Sequence, residues 1–452
     1  MKPFIRKKLP YILIIVQVIL ILGLLIYIVP GRYRLYNIVL YDASENFPDN
    51  PLIGYAPEAD RLEDCENTSL VFITLPFSEW EPEEGVFDTA SLEEKYHIRE
   101  HKEKGRHAVL RFVCDIPSRE EHMDIPRWLY EKTGGFPYQE EEGRGLIPDY
   151  GNEYFLQAHA QALKKLADWC SQDSFVAYVE IGSVGHKGLW PSASSSDPGR
   201  AGNNLSADVL SRYAAQYAEA FPADYGIRLL SSDDTGAVEG AGSWNNILGE
   251  RDKDKGLLSE NLWEQAPVGS SITDSISMDE ILMDNLSDTL EQIRKYHISY
   301  IGPECPDAEQ QMTNGSEMIL RNVGYCFYLN RLQTTMDFID DDLLFHFTFA
   351  NIGNVPAYWN WPVTMYVFNR KGVIIHEQTL DLELTRLQPG SEMTVTGAVP
   401  YSKELLKGFS VGISITSEDH SEYITLAQKG VIPDGRGIHR VYKYKGKGPS
   451  AH

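Results

Sequence analysis

The chain has 452 residues, of which 42% are apolar and 23% charged, the proportions of a folded protein rather than a disordered one. Its formal net charge of −24 removes nucleic acid from the expected partners, because binding a polyphosphate needs basic patches that displace counterions. The five cysteines (Cys65, Cys114, Cys170, Cys305, Cys326) form no C-x-x-C pair, so neither a zinc site nor a disulfide framework is expected, with one bridge left open.

Residues 11–29, "YILIIVQVILILGLLIYIV", carry no charge. At about 1.5 Å per residue such a helix spans roughly the 30 Å hydrocarbon core of a bilayer. Lys2, Arg6, Lys7 and Lys8 precede it, which keeps the N-terminus on the cytoplasmic side and exports the rest. Pro30-Gly31-Arg32 offers no small-residue cleavage site, so an uncleaved signal anchor is expected, with a single-pass membrane location and an extracytoplasmic bulk. Residues 31–50 read as a stem.

From 51 to 335 short β-rich runs alternate with helical patterns. The runs are "LVFITLPF" (70–77), "HAVLRFV" (107–113), "FVAYVEIG" (175–182), "IRLLSS" (227–232) and "ISYIG" (298–302). Between them, residues 154–170 place Phe155, Ala158, Ala162, Leu166 and Trp169 on one helical stripe, and 210–221 behave similarly. Strands separated by helices predict a parallel α/β sheet, and the length suits a (β/α)8 TIM-like barrel, although only five strands are distinct. Residues 340–432 change texture to short alternating strands with turn signals at 369–372 and Pro389-Gly390, the pattern of a small all-β sandwich. Residues 433–452 read as a basic tail; its last stretch "GRGIHRVYKYKGKGPSAH" contains no acid and is expected to be disordered, with contact to an anionic surface or cell-wall polymer as the alternative.

Side chains alternate across a strand. Val176, Tyr178 and Glu180 therefore share one face, and Ala177, Val179 and Ile181 share a purely apolar one that should meet the helices. Glu180 then ends the inward face at the C-terminal rim, where barrel enzymes keep their sites. By the same test Val109, Arg111, Val113 and Asp115 share a face; Asp115 reaches the strand end, and a buried Arg111 needs a carboxylate partner. Glu304 follows the run 298–302, and Asp233 and Asp234 follow 227–232. Several strands thus deliver acids to one rim, as glycoside hydrolysis requires: one carboxyl protonates the departing oxygen, and the other attacks the sugar carbon or activates water. Strand-end acids also cap helices or pair with arginine, so a structural role for each stands beside the catalytic one.

"SEWEPEEGVFDTASL" (78–92) resembles the signature after the first strand of many barrel glycosidases, through Trp80, Glu84, Gly85, Phe87 and Asp88. "EIGSVGHKGLWP", "IGPECP" and "FTFANIGNVPAYWNWPVTMYVFN" (347–369) resemble a bacterial family of domains of unknown function, built as a glycosidase-like barrel followed by a β-sandwich. The resemblance covers roughly residues 50–430 and implies that architecture. The family loop usually reads Gly-His-Trp-Gly-Glu-Trp; here Lys187 stands for the first Trp and Leu189 for the Glu.

The expectation is a membrane-anchored, extracytoplasmic, glycoside-hydrolase-like protein acting on a carbohydrate. Glu180 would be the acid/base and Glu304 the second carboxylate. Asp115, Arg111, Asp233, Asp234 and His186 would bind the sugar, and Trp80 and Trp190 would stack on it. The alternative, favoured by Leu189, is a catalytically inactive glycan-binding protein of surface-polysaccharide assembly or export. No Gly-rich phosphate loop, H-E-x-x-H or G-x-S-x-G occurs, so no metal or organic cofactor is implied.

Overall fold

The computed structural model describes residues 14–22, 35–45, 47–141, 143–190, 205–232, 235, 238–250, 261–273 and 275–446. Of the apolar stretch 11–29, residues 14–22 form an exposed helix, and the rest lies outside the described residues. Among the described residues no helix is long and apolar enough to cross a membrane, so the expected transmembrane helix is not found there.

In chain order the strands are β1 (Asn37–Leu40), β2 (Gly54–Tyr55), β3 (Leu70–Pro76), β4 (His107–Val113), β5 (Gly135–Glu140), β6 (Gly143–Pro148), β7 (Val176–Glu180), β8 (Arg228–Ser231), β9 (Gly242–Leu248), β10 (Val268–Ile272), β11 (Tyr300–Ile301), β12 (Phe327–Asp337), β13 (Asp342–Asn351), β14 (Val363–Asn369), β15 (Ile374–Leu380), β16 (Glu392–Pro400), β17 (Phe409–Ile415) and β18 (His439–Tyr444). Eight of them form one parallel sheet in the order β2-β11-β10-β9-β8-β7-β4-β3. A bridge between Glu58 and Phe72, with Phe72 N–H donating to Pro57 O and Ala59 N–H to Phe72 O, joins the two ends. The sheet therefore closes, and strands consecutive in the chain are neighbours around a TIM-like barrel.

Three of its strands, β2, β9 and β10, escaped the sequence pattern for separate reasons. β2 is two residues long, too short to show a period. β9 and β10 read "GSWNNIL" and "VGSSI", with small and polar residues where a buried parallel strand is usually β-branched. Residues 153–170 form the expected helix, capped by Asn152, whose Oδ1 accepts from the N–H groups of Tyr154 and Phe155. Its buried stripe packs with the outward faces of β3, β4 and β7, through Val71, Ile73, Leu75, Leu110, Phe112, Val179 and Ile181.

The inward faces carry Phe72, Val109, Tyr178, Leu230, Trp244 and Tyr300, which fill the barrel below its C-terminal rim. Alternation fails along β9, where the register against β10 shifts and Trp244 and Leu248 take opposite faces, and at the start of β7. A register shift in β4 at Ala108/Val109 turns Val176 toward the helices and Ala177 toward the barrel interior, the reverse of the strict period. Tyr300 crosses the interior because its neighbour Gly269 has no side chain: a Cβ there would lie 2.3 Å from the Tyr300 ring.

Apart from the two-stranded β5–β6 hairpin, the remaining strands form two four-stranded antiparallel sheets, β1-β12-β13-β16 and β15-β14-β17-β18, packed face to face. Leu343, Phe345, Phe347 and Phe349 of β13 meet Met365, Val367, Val411 and Ile413 across the core. Residues 37–40, within the segment expected as a stem, are the edge strand β1, and β18 lies within the segment expected as a tail. The all-β part sits at the N-terminal ends of the barrel strands: His107, which begins β4, holds Glu422 at 2.8 Å.

Because Tyr300 occupies the space over Gly269, Gly269→Ala should lower stability by roughly 1–3 kcal/mol through overpacking. The urea midpoint measures this; an unchanged midpoint would show that Tyr300 is free to move aside.

Candidate functional site

The C-terminal ends of the barrel strands form one face. Residues 191–204 after β7, 233, 234, 236 and 237 after β8, 251–260 after β9 and 274 after β10 lie outside the described residues. Asp233 and Asp234 fall there.

Thr74, Arg111 and Glu180 lie at one level on β3, β4 and β7. Inside the barrel Arg111 Nε donates to Glu180 Oε2 at 2.7 Å, and its Nη2 pairs with the same oxygen. Tyr300 donates to the other oxygen, Oε1, at 2.7 Å. Glu180 is 1% exposed. Burial pushes its carboxyl above the usual range, against the pull of Arg111 and Tyr300. The Arg111 guanidinium lies 4.2 Å from the Trp244 ring centroid and 5.1 Å from that of Phe72, faces that suit a desolvated cation. Arg111, expected among the sugar-binding residues, is thus committed to Glu180.

Glu304 is not brought to this centre. It follows β11, half a turn around the barrel from β7. Its N–H donates to Ser271 Oγ, its C=O accepts from Ile272 N–H, and its side chain is exposed. Among the described residues no hydrogen bond or ion pair links it to Glu180.

A second cluster stands at the end of β4. Asp115, fully buried, pairs through Oδ2 with His186 Nδ1 and accepts from the Tyr138 hydroxyl at 2.9 Å through Oδ1. His186 Nε2 faces Glu140 Oε2 at 3.6 Å, an ion-pair distance, and the Tyr138 ring lies 4.6 Å from the imidazole. Tyr138 and Glu140 come from the β5–β6 hairpin, which docks on the rim through paired hydrogen bonds between Ser118 and Arg144. The docking is close because residue 145 is glycine: a Cβ would lie 2.6 Å from the Tyr138 oxygen and 2.9 Å from Asp115 Oδ1.

The loop after Glu180 folds back to deliver His186. Lys187 N–H donates to Asp115 O, and Ser183 Oγ joins His159 and Tyr217. Trp190 Nε1 donates to the carbonyls of Ile181 and Gly182, both at 2.9 Å. Trp190 is therefore a core residue that ties the loop and is not a sugar platform. Trp80 is likewise buried, between Phe87 and Trp169, with its N–H on Ala162 O. Both were expected in the cleft; each indole instead has apolar neighbours and a backbone acceptor. Leu189 packs against the barrel interior cluster.

The hairpin also walls a groove of about 470 Å³ beside this cluster, with Tyr130, Tyr138, Arg127, Arg144 and His122 in its lining. Both His122 ring nitrogens face carbonyl oxygens, of Glu120 and Ile116, and Asp124 lies 3.1 Å away. Only the imidazolium donates from both nitrogens, so these contacts raise its pKa in spite of desolvation, which lowers it.

Sequence reasoning missed Glu58, Tyr138, Glu140 and Tyr300. Glu58 follows the first barrel strand and accepts from Thr74 Oγ1 at 2.7 Å; burial pushes its carboxyl up to about 7. Nothing periodic announces a two-residue strand before it. Tyr300 was findable, since alternation along "ISYIG" sets it apart from Ile301. The hairpin has no Asn-Gly or Asp-Gly turn of the common two-residue kind.

No family model matches the chain, and no curated protein matches it. Among solved structures, endo-glycoceramidase II from Rhodococcus sp. in an iminocyclitol complex aligns with a TM-score of 0.41 at 12% identity, over 80% of this chain and 100% of that one. An endogalactoceramidase gives 0.37 at 11% identity, over 79% and 96%. A GH30 endoxylanase from Clostridium papyrosolvens C71 gives 0.32 at 8% identity, over 80% and 97%. Scores and identities this low leave the ligand and chemistry of this chain to be argued from its own residues.

Two outcomes follow from the geometry. Arg111→Met leaves Glu180 buried without its cation and should cost about 3–5 kcal/mol, whereas Arg111→Met with Glu180→Leu should cost less than the sum of the single changes. A double-mutant cycle in urea measures this, and additive losses would mean that the pair is uncoupled. For Glu58, the folded pKa of about 7 lies above the ordinary 4.5. The folded state then holds the extra proton between these values, so its stability falls as pH rises from about 4.5 to about 7. Glu58→Gln should remove that part of the fall; identical stability profiles for variant and wild type between pH 4.5 and 7.5 would contradict it.

Proposed function

We propose that this chain is a glycoside-hydrolase-like barrel protein that binds carbohydrate at its C-terminal face without cleaving it through Glu180 and Glu304. The observation that carries the reading is the state of Glu180, whose two oxygens are taken by Arg111 and Tyr300 in the barrel interior. A carboxyl so held, 1% exposed in a filled interior, is closed to a substrate at the rim. Ligand contacts are assigned to the rim: the Tyr130 and Tyr138 rings, the Arg127 and Arg144 guanidinium groups, and Glu140, which keeps 30% of its side chain exposed beside His186. Tyrosine presents an apolar face and a hydroxyl, and the charged groups meet sugar hydroxyls as donors and acceptors. The uncharged run 11–29 with its preceding lysines and arginine supports attachment of the chain to a membrane with its bulk outside the cytoplasm.

One observation favours hydrolysis instead. Glu58, held near 7 at the rim, has the protonation behaviour of a general acid at neutral pH and would replace Glu180 in that role.

A screen of aryl glycosides and cell-wall polysaccharides, with sugar binding measured in parallel, separates these readings. The binding reading expects no sugar release above the blank from wild type, Glu180→Gln, Glu304→Gln or Glu58→Gln, and oligosaccharide binding that Glu140→Ala weakens about tenfold. Release by wild type that Glu180→Gln abolishes would overturn it. Release that only Glu58→Gln abolishes would establish the hydrolytic alternative.

A further inference from the structure

The segment Tyr358, Trp359, Asn360, Trp361 takes no part in the C-terminal face. It leaves the all-β part and enters the opposite end of the barrel. Trp359 Nε1 donates to Gly226 O at 3.2 Å, just before β8, and its ring meets Tyr178 edge-on at 5.2 Å. Arg228 stands 5.5 Å from the same ring and donates to Tyr358 O. One purpose of the segment is therefore to join the two parts of the molecule. That purpose needs one buried indole, yet Trp359 and Trp361 are both only half-buried, with Asn360 exposed between them.

Beside them lies a cavity of about 370 Å³. Its lining includes Trp359, Trp361 and Tyr225, with Asp173, Glu418 and Asp419. Small-molecule sites commonly measure about 300–1,000 Å³ and combine aromatic walls with a few oriented polar groups. The polar groups here are mostly acceptors. Hydrogen bonds from Ser417 and Ser421 hold the Asp419 carboxyl down to about 2, so it is ionised in any ordinary buffer. Asp173 pairs with Lys102, and Glu422, also in the lining, with His107. Such a wall repels anionic ligands and accepts hydrogen bonds from hydroxyl groups. The indole and phenol faces suit the C–H face of a sugar ring.

We propose that this groove between the barrel and the sandwich is a second glycan site, for an uncharged pyranose oligosaccharide. It is distinct from the C-terminal rim and does not depend on what the rim binds. It explains why a chain segment that could be buried keeps two indoles at a concave surface lined with carboxylates.

Titration calorimetry and tryptophan fluorescence with cellotetraose, chitotetraose and tetragalacturonate test it, in wild type and in Glu140→Ala so that rim binding is separated from groove binding. At least one neutral tetrasaccharide should bind and shift the tryptophan emission in both chains. Trp361→Ala should weaken that binding about tenfold or more, and tetragalacturonate should not compete. Glu418→Lys, on an exposed loop, should weaken it about threefold or more and carries the test if Trp361→Ala does not fold. No binding of either neutral sugar at millimolar concentration overturns the proposal. So does binding that survives both substitutions in a chain whose circular dichroism is unchanged, or preferential binding of tetragalacturonate.

Discussion

The ion pair of Arg111 with Glu180, closed by the Tyr300 hydroxyl, is the constraint on which the barrel depends. Removing a guanidinium and a carboxylate from water costs several kcal/mol per ion unless each finds its partner and its remaining hydrogen bonds. Here both carboxylate oxygens are used, and aromatic faces from β3 and β9 cover the cation. The pair fixes more than itself. Arg111 and Glu180 join adjacent strands, and Tyr300 reaches them from the far side of the barrel, so three strands are held at one level. Gly269 exists in this arrangement as the gap through which the Tyr300 ring passes. The interior is consequently filled, and contact with a ligand moves outward to the rim and its hairpin.

The loop that follows Glu180 bears the cost of this arrangement. Ser183, Lys187 and Trp190 all adopt positive φ, at 72°, 53° and 53°, in a region where residues with a Cβ are disfavoured. Each is over-determined by contacts: Ser183 by His159 and Tyr217, Lys187 by the Asp115 carbonyl, and Trp190 by two carbonyls. The product is a fixed imidazole against the Asp115 carboxylate. Such a loop presents a rigid polar group rather than a moving one.

Much of this was legible in the sequence, and the gaps have physical causes. Alternation along β4 correctly set Arg111 and Asp115 on the strand face away from Leu110 and Phe112, because a parallel strand between helices and a filled interior obeys a period of two. The demand of a buried arginine for a carboxylate pointed at an ion pair, although its partner was read as a catalytic acid. What the sequence hides is which group arrives from a distant strand. Tyr300 lies on the short run 298–302 and Glu304 just after it; the glutamate drew notice as chemistry, while the tyrosine was the one with an open path to Glu180. Trp80 and Trp190 show the same limit, since an indole reads alike whether it faces a sugar or a core. Glu58 and the β5–β6 hairpin were invisible because short strands and uncommon turns leave no periodic trace.

The pairing of β1 with β12 makes the barrel an insertion within the sandwich, since Asn37 lies opposite Thr334 with all eight barrel strands between them in the chain. A ribosome therefore releases one edge of the sandwich first, then nearly three hundred residues of barrel, and only afterwards the strands that edge must meet. Closing so long a loop has an entropic cost that falls if its ends are already close. A folded barrel brings its first and last strands side by side, as β2 and β11 are. A closed barrel thereby holds the two ends of the sandwich together at its seam, which meets the sandwich through Tyr325 on Pro51 O and His297 on Asn354 O, so damage to the seam should also appear as misfolding of the sandwich.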